Sequence, residues 1–341
     1  MEQVRRVVVF CVAVFVMCAL AIPAHAQAKA KGKKMKIGVS LPTQRDERWV
    51  RDANRMKEVA KEQGVDLKMQ ICDNDASKQM SQCENLIAQG IDILVLAPHD
   101  ATSAAAIVDD AKAAGLKVIA YDRLVMDSDV DLYVSFDNFE VGRQMGEYLV
   151  GKVPKGNYVV LAGSPTDNNA KLYRDGALSM IKPLADTGAI KIVMDQWITD
   201  WQPTVAMNLM QNALTANDNK IDAVLAPNDN TAGGIIQALD QVGLAGKVPV
   251  TGQDAEATAA QRIVKGTQAM TVFKDTRKSS EDAIIAAIDM VNGKTVKTTG
   301  TMNNRKKDVP ALLLKAVVVD KENLDKELID SGYLKKADVY K

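Results

Sequence analysis

Short apolar runs alternate with longer amphipathic stretches from Met35 onward, and this alternation restricts the possible folds of the 341-residue chain more than any other feature. The stretch Glu47–Gln63 carries apolar residues at helical spacing, and Gly64 follows it at a position where helices commonly end. Strands that alternate with helices form a parallel sheet covered on both faces. The predicted strands are Lys36–Leu41, Val65–Gln70, Ile91–Pro98, Lys117–Asp122 and Leu132–Asp137 in the first half, and Asn157–Gly163, Ile190–Gln196, Ile221–Pro227 and Val248–Gln253 in the second.

The two halves of this pattern resemble each other. Ile91–Asp122 and Ile221–Asp254 both contain a strand that leads into Ala-Pro-x-Asp, a helix, a Gly-Leu turn and a second strand that ends in Asp. Agreement at nearly equal spacing indicates duplicated structural units. We therefore predict an α/β protein with two doubly wound lobes of parallel sheet. Ligands of such sheets bind beyond the carboxyl ends of the strands, which places the expected site in a cleft between the lobes.

We expect each lobe to be assembled from separate parts of the chain. Ser280–Asn292 has the pattern of a helix that belongs to the first lobe, so the chain must return there after building most of the second. The predicted hinge crossings lie near Asp137–Phe139, Phe273–Asp275 and Asn304–Lys306. The N-terminal lobe would then comprise residues 36–138 and 275–304, and the C-terminal lobe residues 139–274 and 305–341.

The N-terminus has the pattern of a secretory signal peptide over residues 1–26. Arg5 and Arg6 precede the apolar run Val7–Ile22, and a small-residue cleavage site ends at Ala26. An uncleaved membrane anchor is the alternative, but the run is shorter than the roughly 20 residues that span a bilayer. We expect cleavage after Ala26 and export, with residues 27–35 as a solvated spacer.

Export leaves Cys72 and Cys83 in an oxidising compartment. They form either a disulfide or two buried thiols, because the sequence does not give the Cα separation that a bridge requires. The charges balance, with 43 Lys and Arg against 43 Asp and Glu, so no net field would attract nucleic acid.

The residues needed for most catalytic and metal sites are missing from the predicted mature chain. His99 is its single histidine, which excludes histidine triads and multi-histidine metal centres. Asp122 and Asp254 could form a glycosidase pair, but Arg123 and Lys274 beside them would keep both ionised and leave no general acid. We expect no catalytic residue, no cofactor and no metal ion.

Polar and aromatic side chains follow the predicted strands of both halves. Indole rings can cover the C–H faces of a sugar, while carboxylates, cations and amides pair with its hydroxyl groups. A neutral sugar therefore suits this set. The stretches are Arg45–Trp49, Tyr121–Arg123, Gly163–Asn169, Trp197–Trp201, Pro227–Asp229, Gly252–Asp254 and Thr271–Lys274.

Each such residue also has a purely structural alternative. Asp or Asn after a strand commonly caps the next helix, and we expect this for Asp100 and Asp229. Trp197 lies on a predicted strand and is expected in the core. Trp201 follows the strand end and precedes Pro203, so we expect it at the start of a helix that faces the cleft.

Several of these stretches closely resemble the periplasmic D-xylose-binding proteins, a branch of the sugar receptors of ABC importers. The resemblance extends from about Lys36 to Tyr333, and it implies the type I periplasmic binding protein fold. The stretches that carry it include Glu47-Arg48-Trp49, Tyr121-Asp122-Arg123, Asp167-Asn-Asn-Ala-Lys171, Gln196-Trp-Ile-Thr-Asp-Trp201, Gly252-Gln-Asp-Ala255 and Thr271-Val-Phe-Lys274.

The resemblance implies a set of ligand residues. Trp49 and Trp201 would cover the two faces of the sugar, and the others would hydrogen-bond its hydroxyl groups: Arg48, Asp122, Arg123, Asp167, Asn169, Asn228, Asp254 and Lys274. Cys72, Cys83 and the stretch Leu41–Gln44 depart from the family's pattern, without touching a matching ligand position.

The resemblance also implies the partners: D-xylose or a related monosaccharide such as ribose, arabinose or glucose, and an ABC permease in the inner membrane. A chemoreceptor is equally compatible as a second partner. We expect a periplasmic monomer. A sugar-responsive repressor shares this fold, but it would need an N-terminal DNA-binding domain where this chain has a predicted signal peptide.

Overall fold

The computed structural model describes residues 34–341. The predicted signal peptide and nearly all of the spacer lie outside the described residues. Within residues 34–341, no helix is both long and apolar enough to cross a membrane.

Strands and helices alternate through most of the described chain. The strands are β1 (Lys36–Leu41), β2 (Asp66–Ile71), β3 (Ile93–Leu96), β4 (Lys117–Tyr121), β5 (Leu132–Phe136), β6 (Gly156–Ala162), β7 (Ile190–Trp197), β8 (Ala223–Leu225), β9 (Thr271–Phe273), β10 (Gly300–Asn303), β11 (Asp308–Leu314) and β12 (Val317–Val319). The helices are α1 (Glu47–Glu62), α2 (Ala76–Ala88), α3 (Ala105–Ala113), α4 (Asn138–Lys152), α5 (Asn168–Asp186), α6 (Pro203–Ala216), α7 (Asp229–Gln241), α8 (Ala257–Lys265), α9 (Thr276–Val291) and α10 (Lys336–Val339). A 3-10 turn covers Thr199–Trp201, and a π-helical segment covers Asp325–Asp330.

The first sheet has seven strands in the order β10-β11-β5-β4-β3-β1-β2, and all pairs except β10–β11 are parallel. The interior strand β3 is buried along its whole length, as expected for a parallel sheet covered on both faces. Met56 of α1 and Ile284 of α9 pack in the core on one face, and Leu86 of α2 and Ile107 of α3 pack on the other.

The second sheet has the order β7-β6-β8, with parallel pairs. The predicted strand Val248–Gln253 contributes only isolated bridges, at Val248, Val250 and Gln253. Pro249 within it lacks the N–H that a regular ladder needs, although its carbonyl still accepts from Val224 N at 3.0 Å. A two-stranded antiparallel sheet of β9 and β12 joins this edge through the bridge from Gln253 to Val272.

Helices α4 and α5 cover one face of the second sheet with their backbones in close contact. A Cβ at Gly142 would lie 2.1 Å from the carbonyl oxygen of Tyr173, and one at Gly176 would lie 2.1 Å from that of Phe139. Real Cβ atoms do not come this close to an oxygen, so these glycines permit the packing that brings Tyr173 to the carboxyl end of the sheet.

The pairing of β11 corrects the third predicted crossing. Asn304–Lys306 is the turn between β10 and β11, and the Asn304 amide donates to the carbonyls of Val125 and Ser128 at 3.0 and 2.9 Å. Strand β11 then pairs in parallel with β5, so the chain stays with the first sheet as far as Leu314. The assignment of residues 305–314 to the C-terminal lobe was therefore wrong, while the division into two lobes that move about a hinge stays a prediction.

Candidate ligand-binding site

A cavity of about 290 Å³ lies where the carboxyl ends of strands from both sheets meet. All ten residues that the sequence singled out as ligand residues line it, and their role as ligands stays a prediction. Asp46 and Gln253 line it as well; they lie in the polar stretches identified in the sequence but were not chosen as ligand residues, and Tyr173 also lines it and was missed altogether. The ten are Arg48, Trp49, Asp122, Arg123, Asp167, Asn169, Trp201, Asn228, Asp254 and Lys274.

The first turn of α1 brings Arg48 and Trp49 to the cavity. Arg48 donates from Nη1 to Asp122 Oδ1 and from Nη2 to Asp52 Oδ2, both at 2.7 Å. The guanidinium carbon lies 4.2 Å from the centroid of the Trp49 ring, in the geometry of a cation–π contact. Burial alone would lower the pKa of Arg48, but Asp122, Asp52 and Asp254 raise it well above the usual value, so this cation is permanent.

Asp122 follows β4 with φ of 58°, in the left-handed region that Asp tolerates better than most residues. Its carbonyl oxygen accepts three hydrogen bonds, from Tyr133 Oη at 2.8 Å, Ser135 Oγ at 2.7 Å and Asn169 Nδ2 at 2.9 Å. These contacts hold the unusual backbone, and thereby the carboxylate, in one position.

The Asp122 carboxylate stays ionised. Burial raises its pKa, but the cations of Arg48 and Lys274 outweigh burial and leave the pKa below its usual value. The group is therefore a hydrogen-bond acceptor and not a proton donor at neutral pH.

Asp167 connects three parts of the site. It accepts from Asn169 N at 2.9 Å as the N-cap of α5, and its other oxygen lies 2.8 Å from Arg123 Nε and accepts from Trp201 Nε1 at 3.2 Å. Capping and cavity lining are therefore combined in one residue. Burial raises the pKa of Asp167, and Arg123 opposes that shift.

Trp201 ends the 3-10 turn at φ of 56°, and its side chain is 5% exposed. Its ring lies directly over Gly163, where an added Cβ would be 2.1 Å from Cη2. Tyr173 meets it edge-on, with ring centroids 6.4 Å apart. Trp201 was expected at the start of a helix that faces the cleft; it instead ends the 3-10 turn two residues before α6 begins at Pro203, and its buried ring is also part of the core of the second sheet.

Lys274, which follows β9, forms a buried ion pair with Asp254. Lys274 Nζ lies 2.9 Å from Asp254 Oδ1 and donates to Tyr173 Oη at 3.2 Å, and both charged side chains are almost fully buried. Asp254 has φ of 101°, so both duplicated Asp positions have left-handed backbones. Arg48 Nη1 approaches the same Asp254 oxygen at 3.9 Å.

Asn228 is both a cap and a cavity residue. Its Oδ1 accepts from Thr231 N at 2.9 Å and from Thr231 Oγ1 at 2.6 Å at the start of α7. Three buried polar atoms of the lining make no hydrogen bond within the described residues: Arg48 Nε, Gln253 Oε1 and Asp254 Oδ1, the last of which has only the ion-pair contact with Lys274 Nζ. Burial without a partner is costly for polar atoms, which favours a polar ligand here.

Of the two helix-cap predictions, the one for Asp100 is confirmed and the one for Asp229 is wrong. Asp100 accepts from the backbone N–H groups of Thr102 and Ser103 and caps the turn before α3, as expected. Asp229 is not a cap. It lies within the first turn of α7, fully buried, and accepts from Thr271 Oγ1 at 2.8 Å and from Glu256 N at 3.0 Å.

Two further predictions concern residues that do not line the cavity. Cys72 and Cys83 are buried free thiols, so the disulfide alternative is not formed. Trp197 is 37% exposed and was wrongly expected in the core, because β7 is an edge strand with one accessible face. Its ring contacts the guanidinium of Arg174 at 5.8 Å.

The lining is rich in charges but electrically nearly balanced. Asp122, Asp167 and Asp254 each lie within 3 Å of a cation, from Arg48, Arg123 and Lys274 respectively. The lining contains neither His nor Cys, and the described part of the chain holds no cluster of residues suited to a metal ion. The arrangement offers strong donors and acceptors to a small neutral ligand.

Three comparisons with known proteins agree. Residues 37–295 match the family model described as a periplasmic binding protein domain. The chain is 44% identical to the D-xylose-binding periplasmic protein of Escherichia coli (strain K12), over 90% of this chain and 93% of that protein. It is 44% identical to the protein of the same name from Haemophilus influenzae, over 90% of this chain and 92% of that protein. A carbohydrate transporter solute-binding protein from Chloroflexus aurantiacus, solved in complex with D-glucose, superposes with a TM-score of 0.84 at 37% identity, over 90% of this chain and 98% of that one.

Proposed function

Because the chain belongs to the periplasmic binding protein family and has its type I fold, we propose that it is a receptor that captures D-xylose in the cavity between its two sheets and delivers it to the membrane permease of an ABC importer. Residues 1–26 would direct export and be removed after Ala26, leaving a monomeric receptor in the periplasm.

One observation carries the proposal: two indole rings and three carboxylate–cation pairs surround a single small cavity. The cavity is small and lined by thirteen residues, all polar or aromatic, so a compact polar molecule such as a monosaccharide is a suitable occupant. The similarity to two D-xylose-binding proteins supports a pentose among the monosaccharides.

We assign the lining residues to two roles. Trp49 and Trp201 would cover the C–H faces of the ring, where flat aromatic groups remove apolar area from water. The eight polar residues would pair with the hydroxyl rim, each ionised side chain giving charge-assisted hydrogen bonds. The unpartnered Arg48 Nε and Gln253 Oε1 supply a further donor and a further acceptor.

We also propose that the sugar leaves the protein chemically unchanged. Catalysis of glycoside cleavage needs one protonated carboxyl group beside an ionised one. Asp122 keeps a pKa below its usual value, because Arg48 and Lys274 outweigh the effect of burial. The Asp254 carboxylate is in turn engaged by Lys274, whose Nζ lies 2.9 Å from it. The names of the relatives are those of binding proteins.

Calorimetry of the mature protein with a panel of monosaccharides tests the proposal. We expect D-xylose to bind most tightly and to raise the melting temperature. If free sugar is at roughly 1,000 times its dissociation constant, the free energy of unfolding should rise by about 4 kcal/mol. D-ribose differs only at the 3-hydroxyl and should bind more weakly, because that hydroxyl would leave a buried charged partner unpaired. Recovery of altered sugar, or no binding by any pentose or hexose, would defeat the proposal.

An aldohexose is the second candidate, favoured by the likeness to the Chloroflexus protein solved with D-glucose. The same panel separates the two, since D-glucose carries an extra hydroxymethyl group that the cavity must accommodate. Tighter binding of D-glucose than of D-xylose would transfer the assignment to hexoses.

A further inference from the structure

Asp52 is a fully buried carboxylate on α1, one turn beyond Arg48, and it does not line the cavity. Its Oδ2 accepts from Arg48 Nη2 at 2.7 Å. We propose that Asp52 is a positioning residue for the sugar: its negative charge holds the Arg48 guanidinium in the orientation that binds the ligand, so that affinity depends on whether Asp52 is ionised. This inference rests on the proposed function.

The geometry around Arg48 supports this role. A guanidinium is planar and rigid, so two anchors on its two Nη atoms fix the plane. Asp122 holds Nη1 and Asp52 holds Nη2, and the plane lies against the Trp49 ring at 4.2 Å. With both Nη atoms engaged, Nε is left without a partner in the described chain. The direction of that free donor is therefore set jointly by the two carboxylates.

Asp52 has no second function in the structure that would explain a buried charge. Its Oδ1 has no hydrogen-bond partner among residues 34–341, so Arg48 is the single group that hydrogen-bonds its carboxylate there. On the facing helix α9, Ser280 donates to the backbone oxygen of Asp52 at 3.4 Å and leaves the carboxylate untouched. A buried ion pair contributes little net stability compared with apolar packing, so a functional reason for keeping it is reasonable.

The charge on Asp52 can change near neutral pH. Burial raises the pKa of Asp52 to about 6, and Arg48 opposes burial only in part. The ionisable groups that face Asp52 come from its own helix and from the elements packed against it: Arg48 on α1, Tyr121 on β4, Asp122 after β4, Lys274 after β9, and Tyr333 near the C-terminus.

The sign of the pH effect follows from this arrangement. Protonation of Asp52 below about pH 6 removes the ion pair and frees the guanidinium to turn about Asp122. The sugar then binds the ionised form more tightly than the protonated form. By linkage, bound sugar must lower the pKa of Asp52, by one unit for each ten-fold difference in affinity between the two forms.

The first test compares Asp52→Asn with a matched control, Asp131→Asn. Asp131 pairs with Lys112 at 2.7 Å at the amino end of β4, away from the cavity. We expect calorimetry at pH 7.5 to show D-xylose binding at least ten-fold weaker in Asp52→Asn and unchanged in Asp131→Asn. Between pH 7.5 and 5, the affinity of the wild type should fall, and Asp52→Asn should lack the part of that fall centred near pH 6.

Carbon-13 NMR of the wild-type carboxylates provides the second test and needs no variant. We expect the Asp52 resonance to titrate near pH 6 without sugar and at lower pH with saturating D-xylose. An unshifted Asp52 pKa, or a folded Asp52→Asn protein that binds as tightly as the wild type, overturns the inference while leaving the proposed function intact. Failure of the wild type to bind any sugar would instead defeat the proposed function itself.

Discussion

Gly163→Ala adds one methyl group directly under the Trp201 ring. The new Cβ would lie 2.1, 2.3 and 2.4 Å from three ring carbons of Trp201, whereas carbon atoms in contact are about 3.5–4.0 Å apart. Gly163 is not among the residues with positive φ, so alanine is compatible with the backbone and the collision with the ring is the whole perturbation. The ring must therefore move by about 1.4 Å or more.

The size of the effect follows from what the ring loses. An indole buries roughly 200 Å², so giving up a quarter of that contact costs about 50 Å², or about 1.3 kcal/mol at 25 cal/mol per Å². The displacement also strains the hydrogen bond to Asp167, now 3.2 Å long, at about 0.5–1.5 kcal/mol. The sum of about 2–3 kcal/mol predicts D-xylose binding roughly 30- to 150-fold weaker.

Gly151→Ala is the matched control, because a Cβ at this position on α4 would have no atom within 4 Å. Isothermal titration calorimetry measures the affinity of both variants, and thermal unfolding reports their stability. We expect Gly151→Ala to bind like the wild type and to melt at the same temperature or slightly higher. If Gly163→Ala binds within a factor of two of the wild type while folded, Trp201 does not contact the sugar as proposed.

Three further outcomes are expected. Lys274→Met leaves the buried Asp254 carboxylate without the cation that lies 2.9 Å from it. The free energy of unfolding should therefore fall by about 3–5 kcal/mol, seen as a lower melting temperature, and sugar titration should show no binding. Dithiothreitol should not change the melting temperature, since Cys72 and Cys83 are free thiols; a drop on reduction would restore the disulfide alternative. Burial raises the pKa of Glu256 to about 9, so the folded protein holds a proton that the unfolded chain releases near pH 4.5. Wild type should therefore lose stability relative to Glu256→Gln as pH rises from 5 to 9, by at most about 1.4 kcal/mol per unit, and parallel denaturation curves across that range would contradict this.

The strand ends were predictable from the sequence because two local patterns agree there. Apolar runs locate the strands, and β1 has the predicted bounds Lys36–Leu41. Residues that follow parallel strands meet at one edge of a sheet, so polar stretches far apart in the chain come together. The resemblance of those stretches to one family supplied the individual positions, and all ten line the cavity.

The residues that were missed act through partners distant in sequence. Gly163 matters because Trp201 lies on it, and no local pattern predicts that contact. Tyr173 reaches the cavity because α4 and α5 approach closely at glycines. For Asp52 the sequence did hold a clue, since Arg48 and Asp52 are spaced four residues apart and such pairs face each other on a helix. That spacing is also common on solvent-exposed helices, which is why it did not single out a buried pair.

The third hinge crossing failed for a related reason. Strand β11 was not among the predicted strands, and whether this segment joins the first or the second sheet depends on its pairing with β5, far earlier in the chain. The turn before it is fixed by Asn304, whose amide bonds to carbonyls of residues 125 and 128. Long-range pairing of this kind leaves no mark in local periodicity.

The ion pairs of the cavity explain how charged residues can recognise a neutral sugar. An isolated buried charge would be too costly, but a carboxylate beside a cation keeps both ionised and leaves unused lone pairs and N–H groups for hydroxyl partners. The pairs also connect the sheets: Arg123 follows β4 of the first sheet and lies 2.8 Å from Asp167, which follows β6 of the second. Asn169, at the start of α5 beside the second sheet, likewise donates to the carbonyl of Asp122, which follows β4 of the first. Separating the sheets would break both contacts and leave charges unpaired, so a sugar that bridges the same groups stabilises the arrangement in which the sheets are held together.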